Sequence, residues 1–445
     1  MQKCDARQRE ELRYTRSKAE NAQADDMNIL FIHQNFPGQY KHLAPALAAQ
    51  GHTCAALTLR VKKPAVWRGV KLIPYTIKGK SAQGLHAWLV DFETKMLRAE
   101  SCYRAAMHLK DQGFTPDIIV AHPGWGESMF LRDVWPTARI GLYYELFYQA
   151  SESELSFDPE FPRKAPELDR LRLRMKNINN MLHLQVGDLG ISPTKFQAST
   201  FPEEFQKRIS IIHDGIDTGI VTPNAGAQFK VNPNLSLSRR DEVITFVNRN
   251  LEPYRGYHVF MRALPQLLQE RPKAQVVLVG GDEVSYGAKP PAGQSWKQIY
   301  INEVRGRISD ADWARVHFAG RIPYDRFLSL LQISKAHVYL TYPFVLSWSL
   351  IEAMSAGVPI IASDTAPLKE AISHGQTGRL FPFFDADALV SEVCKVLENP
   401  EMAKTLGLAG RNFAKETYDL QNVCLPKQLD WIAKLADMEP GQVTF

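Results

Sequence analysis

The 445-residue sequence has few cysteines, no long apolar run and little net charge, and each shortage excludes a class of protein. Its five cysteines are widely separated and form no C-x-x-C pair, so the sequence indicates neither a zinc or dithiol motif nor a disulfide framework. No run reaches the length of about 18 apolar residues that a membrane-spanning helix needs. A net charge of +5, from 53 Lys and Arg against 48 Asp and Glu, is too small for a dedicated nucleic-acid-binding protein.

Two common enzyme motifs are also missing. The sequence has no G-x-S-x-G nucleophile elbow, and Gly280-Gly281-Asp282 does not complete a G-x-G-x-x-G dinucleotide fingerprint. Residues 1–26 are polar, carry charges of both signs and lack the apolar core of a signal peptide. We therefore expect a polar N-terminal extension and a cytoplasmic location, with Met27 as a hypothetical natural start.

The sequence does contain two series of short apolar runs that alternate with helical patterns, such as Tyr257–Glu270 and Ser349–Ala356. Runs that are apolar throughout are typical of parallel strands covered on both faces. The first series predicts strands at Asn28–His33, Thr53–Leu59, Asp117–Ala121 and Ile140–Tyr144. The second series predicts strands at Val243–Val247, Gln275–Val279, His317–Ala319, Ala336–Leu340 and Pro359–Ala362. This alternation indicates an α/β protein with two open parallel sheets.

Residues 215–240 are rich in Pro, Asn and Gly and are predicted to link the two halves. The expected organisation is the extension at 1–26, a first domain at 27–214, the linker, and a second domain at 241–445. Two doubly wound α/β domains place a cleft between the carboxyl ends of their sheets, where such sheets bind ligands. We expect the functional residues to lie at this cleft.

The sharpest functional pattern is a pair of cations that follows the first strand of the second domain. The strand brings Asn248 and Arg249 to the carboxyl edge of the sheet. Arg255, six residues after Arg249, is followed by Gly256 and then by a predicted helix. Guanidinium groups and helix N-terminal amides together suit a diphosphate. Two ordinary surface arginines in a loop are the alternative.

A second pattern surrounds Glu352, in a short predicted helix that ends at Gly357. A carboxylate one turn into this helix could accept hydrogen bonds from ribose hydroxyls, while the free amides at the helix start face a phosphate. The alternative is specific. Ser349 and Glu352 have the spacing of a capping box, in which Glu352 would satisfy the amides of its own helix.

These motifs, taken in order, resemble a known family. The set that carries the resemblance is Arg249, Arg255-Gly256, Glu352-Ala353-Met354, Gly357-Val358-Pro359, Glu370, Gly375 and Thr377-Gly378. It resembles the nucleotide-sugar domain of retaining family-4 glycosyltransferases of GT-B fold, and the segment from Met27 to His52 resembles their acceptor domain. The resemblance implies two Rossmann-like domains facing across a cleft, with the C-terminal stretch after Tyr418 packing back onto the first domain.

The resemblance also implies roles for single residues of the second domain. The cation pair that clamps the donor diphosphate falls on Arg249 and Arg255, with Asn248 beside it, and the glutamate that holds the ribose falls on Glu352. The family's first glutamate, which contacts the donor sugar, falls on Phe344. A phenyl ring can stack on a sugar but cannot accept a hydrogen bond, so recognition of the donor sugar differs here. The other implied donor contacts are Arg321, Leu346, Ser347, Ser349 and Leu350.

In the first domain, Gly38 falls where the family's glycine-rich loop approaches the donor phosphate and the acceptor, and His122 matches a histidine near the reacting sugar. The alternative for His122 is a helix-capping or core histidine. Glu127 and Glu145 follow neighbouring strands and are candidate acceptor contacts, with structural carboxylates as the alternative.

Two D-x-D motifs resemble metal sites but are interpreted as helix caps. Asp310-Ala311-Asp312 and Asp385-Ala386-Asp387 have the D-x-D form that elsewhere holds a metal on a nucleotide sugar, but both precede helical patterns and are interpreted as caps. We expect no metal site and no resident cofactor, because the UDP- or GDP-type sugar is a co-substrate.

Residues 163–181 are basic and amphipathic, which suits an anionic acceptor or peripheral contact with the inner face of the membrane. A solvated surface helix is the alternative.

The residues and the resemblance together predict a retaining hexosyltransferase. It would move a sugar from a nucleotide-diphosphate donor to a glycan or lipid-linked acceptor in cell-surface polysaccharide synthesis, and no nucleic-acid partner is expected. Two alternatives stay open. One is a nucleotide-sugar-binding scaffold without turnover, which Phe344 favours, and the other is a GT-B nucleotide-sugar epimerase, which needs no acceptor.

Overall fold

The computed structural model describes residues 26–151, 153–163 and 165–440. The predicted extension, apart from Asp26, lies outside the described residues, as does Lys164 of the basic segment. Among the helices that are described, none combines the length and the apolar character that crossing a membrane requires.

The first domain is built on an eight-stranded sheet. Its strands are β1 (Asn28–Ile32), β2 (Thr53–Thr58), β3 (Ala65–Trp67), β4 (Val70–Pro74), β5 (Ile118–Ala121), β6 (Arg139–Tyr143), β7 (Leu189–Ser192) and β8 (Ile209–Ile211). Their order is β3-β4-β2-β1-β5-β6-β7-β8, and every pair is parallel except β3 with β4. Its helices are α1 (Leu43–Ala49), α2 (Val90–Asp111), α3 (Leu131–Val134), α4 (Pro166–Lys176), α5 (Ile178–Val186), α6 (Lys195–Ser199) and α7 (Glu203–Gln206).

The second half begins with an antiparallel hairpin, β9 (Gln228–Asn232) and β10 (Leu235–Ser238), inside the segment that the sequence predicts as a linker. The strands that follow are β11 (Val243–Asn250), β12 (Gln275–Gly281), β13 (Val316–Gly320), β14 (Ala336–Tyr339), β15 (Ile360–Ser363) and β16 (Arg379–Phe381). They form a parallel sheet in the order β13-β12-β11-β14-β15-β16. The helices are α8 (Tyr257–Glu270), α9 (Trp296–Arg305), α10 (Asp310–Trp313), α11 (Tyr324–Ile333), α12 (Trp348–Ser355), α13 (Ala366–Lys369), α14 (Ala386–Glu398), α15 (Pro400–Tyr418) and α16 (Leu425–Ala436).

The predicted fold class, two doubly wound α/β domains, is confirmed. Each sheet has its first strand at the centre, and the chain order reverses between β1 and β5 in the first domain and between β11 and β14 in the second. The central strands are continuous apolar runs because helices cover both of their faces; Ile29 to Ile32 are fully buried. Ligands of such sheets bind outside the carboxyl ends at the reversal points.

The two domains contact each other through more than the connecting segment. The C-terminal helix α16 returns to the first sheet, where Trp431 Nε1 donates to the carbonyl oxygen of Gly190 at 3.2 Å. Gly141 must lack a side chain there, because a Cβ atom would lie 2.4 Å from the Trp431 ring. In the other direction, the loop before α4 reaches the second domain, where the Asp158 carboxylate accepts from the Tyr342 hydroxyl and lies 3.0 Å from His258 Nε2.

Candidate active site

Three cavities lie between the domains, along the carboxyl edges of the sheets. The central cavity has a volume of about 710 Å³ and is lined from the first domain by residues such as Gly38 and His42 and from the second by Arg249 and Glu352. A second cavity of about 450 Å³, here called the aromatic cavity, is lined by Phe344 and other rings. The third, of about 740 Å³, reaches Asp364. All three volumes fall within the ~300–1,000 Å³ that is usual for small-molecule sites.

The predicted cation pair divides between two environments. Arg249 is exposed on the last part of β11, lines the central cavity, and has no hydrogen bond or ion pair to another described residue. Arg255 is buried at the end of a 3-10 turn, where its Nη1 donates to Thr341 Oγ1 at 2.7 Å and to the carbonyl oxygen of Val345 at 3.3 Å. Neither guanidinium has a carboxylate within 4 Å among the described residues.

The start of α12 opens onto the same central cavity. Ser347 caps the helix by accepting from the Ser349 amide at 3.3 Å, and the two hydroxyls lie 2.9 Å apart. Trp348 and Ser349 line the cavity. The side chains of Leu346 and Leu350 are buried in the apolar core, so only their backbone atoms are available to a ligand.

Glu352 follows one turn later and also lines the central cavity. Its Oε1 accepts from the Tyr324 hydroxyl at 2.7 Å, and burial raises the pKa of this carboxyl. The capping-box interpretation is therefore wrong, since Ser347 rather than Ser349 is the cap and Glu352 bonds a side chain of α11. The carboxylate keeps its second oxygen free to accept from a ligand hydroxyl.

Asn248 and Arg321 complete the second-domain side of the central cavity. Arg321 follows β13, and its Nη2 donates to Asn250 Oδ1 at 3.0 Å and to Glu283 Oε2 at 2.5 Å. The Arg321 side chain remains more than half exposed. An exposed guanidinium beside an amide can offer further donors to a nucleotide base.

Gly38 forms the facing wall from the first domain. It has a φ of +48° at the start of a 3-10 turn, and a Cβ atom there would lie 2.3 Å from His33 Nε2. The position thus requires glycine for two reasons, the left-handed backbone and the close approach of the His33 ring. A side chain would push this turn out of the cavity wall.

His122 lies one layer behind that wall. Its Nδ1 accepts from the Gly124 amide at 3.1 Å, as the capping alternative predicts, so the neutral ring carries its proton on Nε2. Nε2 is buried without a hydrogen-bond partner among the described residues and lies 3.9 Å from the Glu145 carboxylate. Burial keeps the pKa of His122 well below its usual value, so this histidine is a neutral donor.

The two candidate acceptor carboxylates occupy different positions. Glu145 is partly exposed after β6, and loss of solvation raises its pKa although Arg255 opposes the shift. Glu127 is buried and accepts from the Tyr75 hydroxyl at 2.7 Å. The structure brings neither Glu127 nor Glu145, nor His122 beside them, into the lining of the three cavities.

Phe344 is buried outside the central cavity and lines the aromatic cavity instead. Its ring lies edge-on to Tyr254, with centroids 5.0 Å apart, and 4.9 Å from the ring of Tyr286. The guanidinium carbon of Arg255 lies 5.6 Å from the Phe344 centroid and 5.4 Å from that of Tyr286. Aromatic rings thus stand beside the buried cation where the family has a carboxylate.

Sequence reasoning missed Asp214. It is buried beside the central cavity, where its Oδ2 accepts from Trp348 Nε1 at 2.7 Å and from the Tyr143 hydroxyl at 3.1 Å. Burial raises its pKa from 3.8 to about 7. Its position in the sequence could have identified it, because Asp214 follows the last strand of the first sheet and so lies at the carboxyl edge of that sheet.

The two D-x-D motifs and one further acidic cluster are judged as metal sites by the contacts that their residues make. Asp385 caps α14 by accepting from the Ala388 amide at 2.8 Å, as predicted, whereas Ser309 rather than Asp310 caps α10. Asp158, Glu160 and His258 lie close enough together to hold a metal ion. Both oxygens of Glu160 are already bonded to the Arg262 guanidinium, at 2.6 and 3.0 Å, so this group is better described as an ion-paired contact between the domains.

Comparison with known proteins agrees with this geometry. A family model described as "Glycosyl transferase family 4 group" matches residues 50–221, and one described as "Glycosyl transferases group 1" matches residues 230–413. Together they cover most of the chain.

Individual relatives are distant. A GDP-mannose-dependent α-(1-6)-phosphatidylinositol monomannoside mannosyltransferase of Mycolicibacterium smegmatis is 24% identical over 242 residues, which cover 51% of this chain and 57% of the relative. A glycogen synthase of Mycobacterium tuberculosis is 23% identical over 93% of this chain and 97% of its own length. The solved structure of a sucrose-phosphate synthase from Thermosynechococcus elongatus superposes with a TM-score of 0.71 and 19% identity, covering 93% of this chain and all of that one. With the paired sheets and the cleft between them, these matches show that the chain belongs to the family-4 glycosyltransferases of GT-B fold.

Proposed function

We propose that this protein transfers a hexosyl group from a nucleotide-diphosphate sugar, of UDP or GDP type, to a glycan or lipid-linked acceptor. The observation that carries the proposal is the central cavity. The N-terminus of α12, the carboxylate of Glu352 and Arg249 line this one space, opposite the glycine turn at Gly38. Arg249 has no hydrogen bond or ion pair to another described residue. A phosphate group suits the cation and the amides, and a ribose suits the carboxylate.

In this proposal the second domain, from about residue 241, binds the donor. Arg249, Arg255 and the α12 amides neutralise charge that develops on the diphosphate as its bond to the sugar breaks. Arg321 lies near the base and Glu352 accepts from the ribose. The reaction requires stabilisation of this leaving group more than a strong base, which agrees with the family's retention of configuration at the anomeric carbon.

The first domain would bind the acceptor and shield the reacting sugar. The neutral His122 offers Nε2–H to a sugar hydroxyl, which would supply the partner that this buried atom lacks. Glu145, whose carboxylate lies 3.9 Å from that atom, would accept from a hydroxyl. Closure of the cleft around these groups excludes water and so limits hydrolysis of the donor.

The acceptor class rests on chemistry and on the names of relatives, which include an enzyme for a phosphatidylinositol mannoside and a glycogen synthase. The basic segment adds support for an acceptor at a membrane surface. Leu168, Leu171 and Met181 of α4 and α5 are exposed, and the exposed cations Arg170 and Arg174 lie on α4 between them. Apolar side chains among cations are typical of a helix that rests on anionic lipid.

The test is a panel of UDP and GDP sugars offered to the wild type, to Arg249→Ala and to a control, Arg307→Ala, which removes an exposed cation outside the three cavities. Calorimetry measures binding and NMR identifies the released sugar. We expect one donor to bind and to hydrolyse slowly with its configuration retained, and Arg249→Ala to lose most of this turnover while Arg307→Ala keeps it. Binding without turnover, even with acceptors present, would favour the scaffold, and release of a changed free sugar would favour the epimerase.

A further inference from the structure

The aromatic cavity is a second built site beside the donor site. Tyr254, Tyr286 and Phe344 form one wall, and their centroids lie between 4.9 and 5.7 Å apart. The Tyr286 ring is 43% exposed although it stands over an otherwise enclosed cluster. Arg255, which lies within cation–π distance of Tyr286 and Phe344, fixes the wall from the donor side.

The opposite wall comes from the first domain and is polar. Glu154 is 93% buried, lines the cavity, and has no hydrogen bond or ion pair to another side chain among the described residues. Lys176 lines the cavity too, with its ammonium 3.5 Å from the centroid of the Tyr148 ring. Burial raises the pKa of Glu154 and lowers that of Lys176. A buried carboxylate with a backbone hydrogen bond but no side-chain partner can accept further hydrogen bonds from a ligand.

We infer that the aromatic cavity is the subsite for the acceptor, and that it takes a neutral pyranose ring of a glycan. The sugar's apolar face would stack on the Tyr286 and Tyr254 side, while its hydroxyls donate to Glu154 and accept from Lys176. This inference rests on the proposed function, since it names the acceptor class of the same cleft.

Other occupants fit less well. An anion would meet Glu154, and the nearby Arg163 is already paired with Asp169 at 2.7 Å. A lipid chain would offer the Glu154 carboxylate no further hydrogen-bond donor. A neutral sugar presents both an apolar face and hydroxyls, which is the combination that these two walls offer.

The inference is tested by saturation-transfer NMR on the full chain. The probes are the methyl glycosides of glucose, mannose and galactose and their homodisaccharides, with octyl alcohol as an apolar probe, each titrated with and without UDP or GDP. The variants are Tyr286→Ala, which also removes a ring beside Arg255, and Glu154→Gln, which lies outside the proposed donor site. Trp88→Ala is the control, because this partly exposed ring lies edge-on to His86 and outside the three cavities.

We expect at least one sugar to bind, both variants to weaken its binding about tenfold or more, and Trp88→Ala to leave it unchanged. Nucleotide affinity should stay within about twofold in Glu154→Gln and in Trp88→Ala. The inference is overturned if no sugar binds the wild type, if the sugars bind equally to wild type and both variants, or if only octyl alcohol binds. Because the sugar titrations also run without nucleotide, they decide the inference even if the donor experiment overturns the proposed function.

Discussion

Both sheets have their first strand at the centre and reverse their chain order beside it, yet the side chains at their carboxyl edges differ. At the edge of the first sheet lie buried neutral or acidic groups. Burial lowers the pKa of His33 to about 4 and raises that of Asp214 to about 7. Three cations lie at the edge of the second sheet: Arg249 and Arg321 line the central cavity, and Arg255 is buried against Thr341.

The difference shows how a cleft between two similar folds becomes asymmetric. The second edge offers positive charge and helix amides, so it is the side for a diphosphate. The first edge offers uncharged donors and weak acids at neutral pH, so it does not compete for the phosphates and suits a sugar. The shared topology determines where a ligand binds, and the side chains determine which part of the ligand each domain takes.

The largest expected effect comes from removing the buried cation. Arg255→Ala should lower turnover by about 10²- to 10³-fold, as loss of a charge-stabilising donor usually does. Arg255→Lys should recover only part of the activity, because an ammonium cannot both bond Thr341 and stack between Tyr286 and Phe344. Turnover of the nucleotide sugar is measured together with the melting temperature, which shows whether the variant is folded. Full activity in Arg255→Ala would contradict the assignment of the diphosphate to the cations of the second domain.

The second largest loss of turnover is expected for a change at Gly38, on the first-domain wall of the central cavity. Gly38→Ala should lower turnover by about ten- to a hundredfold, because the new Cβ would meet His33 and shift the turn that faces the donor cations. Gly84→Ala is the matched control. Gly84 also has a positive φ, +77°, but no atom lies within 4 Å of the position that its Cβ would take. Gly84→Ala should keep wild-type turnover. Wild-type turnover in Gly38→Ala as well would contradict the prediction that the clash with His33 disturbs the site.

A smaller effect is expected for the ribose contact. Glu352→Gln should weaken nucleotide binding by about tenfold, the usual loss for a hydrogen bond to a charged acceptor. The sharper measurement compares UDP or GDP with the corresponding 2′,3′-dideoxynucleotide by calorimetry. Wild type should prefer the ribonucleotide and Glu352→Gln should lose that preference, while Tyr324→Phe should retain most of it. An unchanged preference in Glu352→Gln would remove this residue from the donor site.

The smallest expected effect concerns stability and pH. The pKa of Asp214 is about 7 in the folded chain against 3.8 in its unfolded reference, so between these values the folded state holds a proton that the unfolded state has lost. Asp214 therefore makes the free energy of unfolding fall as pH rises from about 4 to 7, by at most ~4 kcal/mol. Asp214→Asn should raise the melting temperature at pH 8 more than at pH 5. The exposed Asp387→Asn should show no such difference, and parallel pH profiles for wild type and Asp214→Asn would contradict the assignment.

Much of the fold could be predicted because the decisive signals are local. The central strands are apolar runs, and the predicted helix at Tyr257–Glu270 has the same bounds in the structure. The shorter elements could not be predicted in the same way. The edge strand β3 has three residues and the hairpin at β9 and β10 lies in a segment rich in turn residues, so neither produces a clear period.

The site was predictable only to the level of the sheet edge. That Arg249 and Arg255 lie near one edge follows from their positions, Arg249 at the end of β11 and Arg255 just after it, but their different burial does not. Arg255 is buried because Thr341, Tyr286 and Phe344 come to it from distant parts of the chain. The same holds for Glu352, whose partner Tyr324 lies 28 residues away on another helix, so spacing favoured a cap that the structure does not form.

By itself, the sequence determined two parallel α/β sheets, the cleft between their carboxyl ends and the residue types that reach it, because burial patterns and strand ends are set by neighbouring residues. Only the tertiary structure decided which of those residues are charged, neutral, paired or free. Asp214 is a weak acid because burial removes its solvation, although the hydrogen bonds from Tyr143 and Trp348, 71 and 134 residues away, oppose the shift. Desolvation and hydrogen bonding depend on every group that packs around a side chain, and most of those groups are distant in sequence.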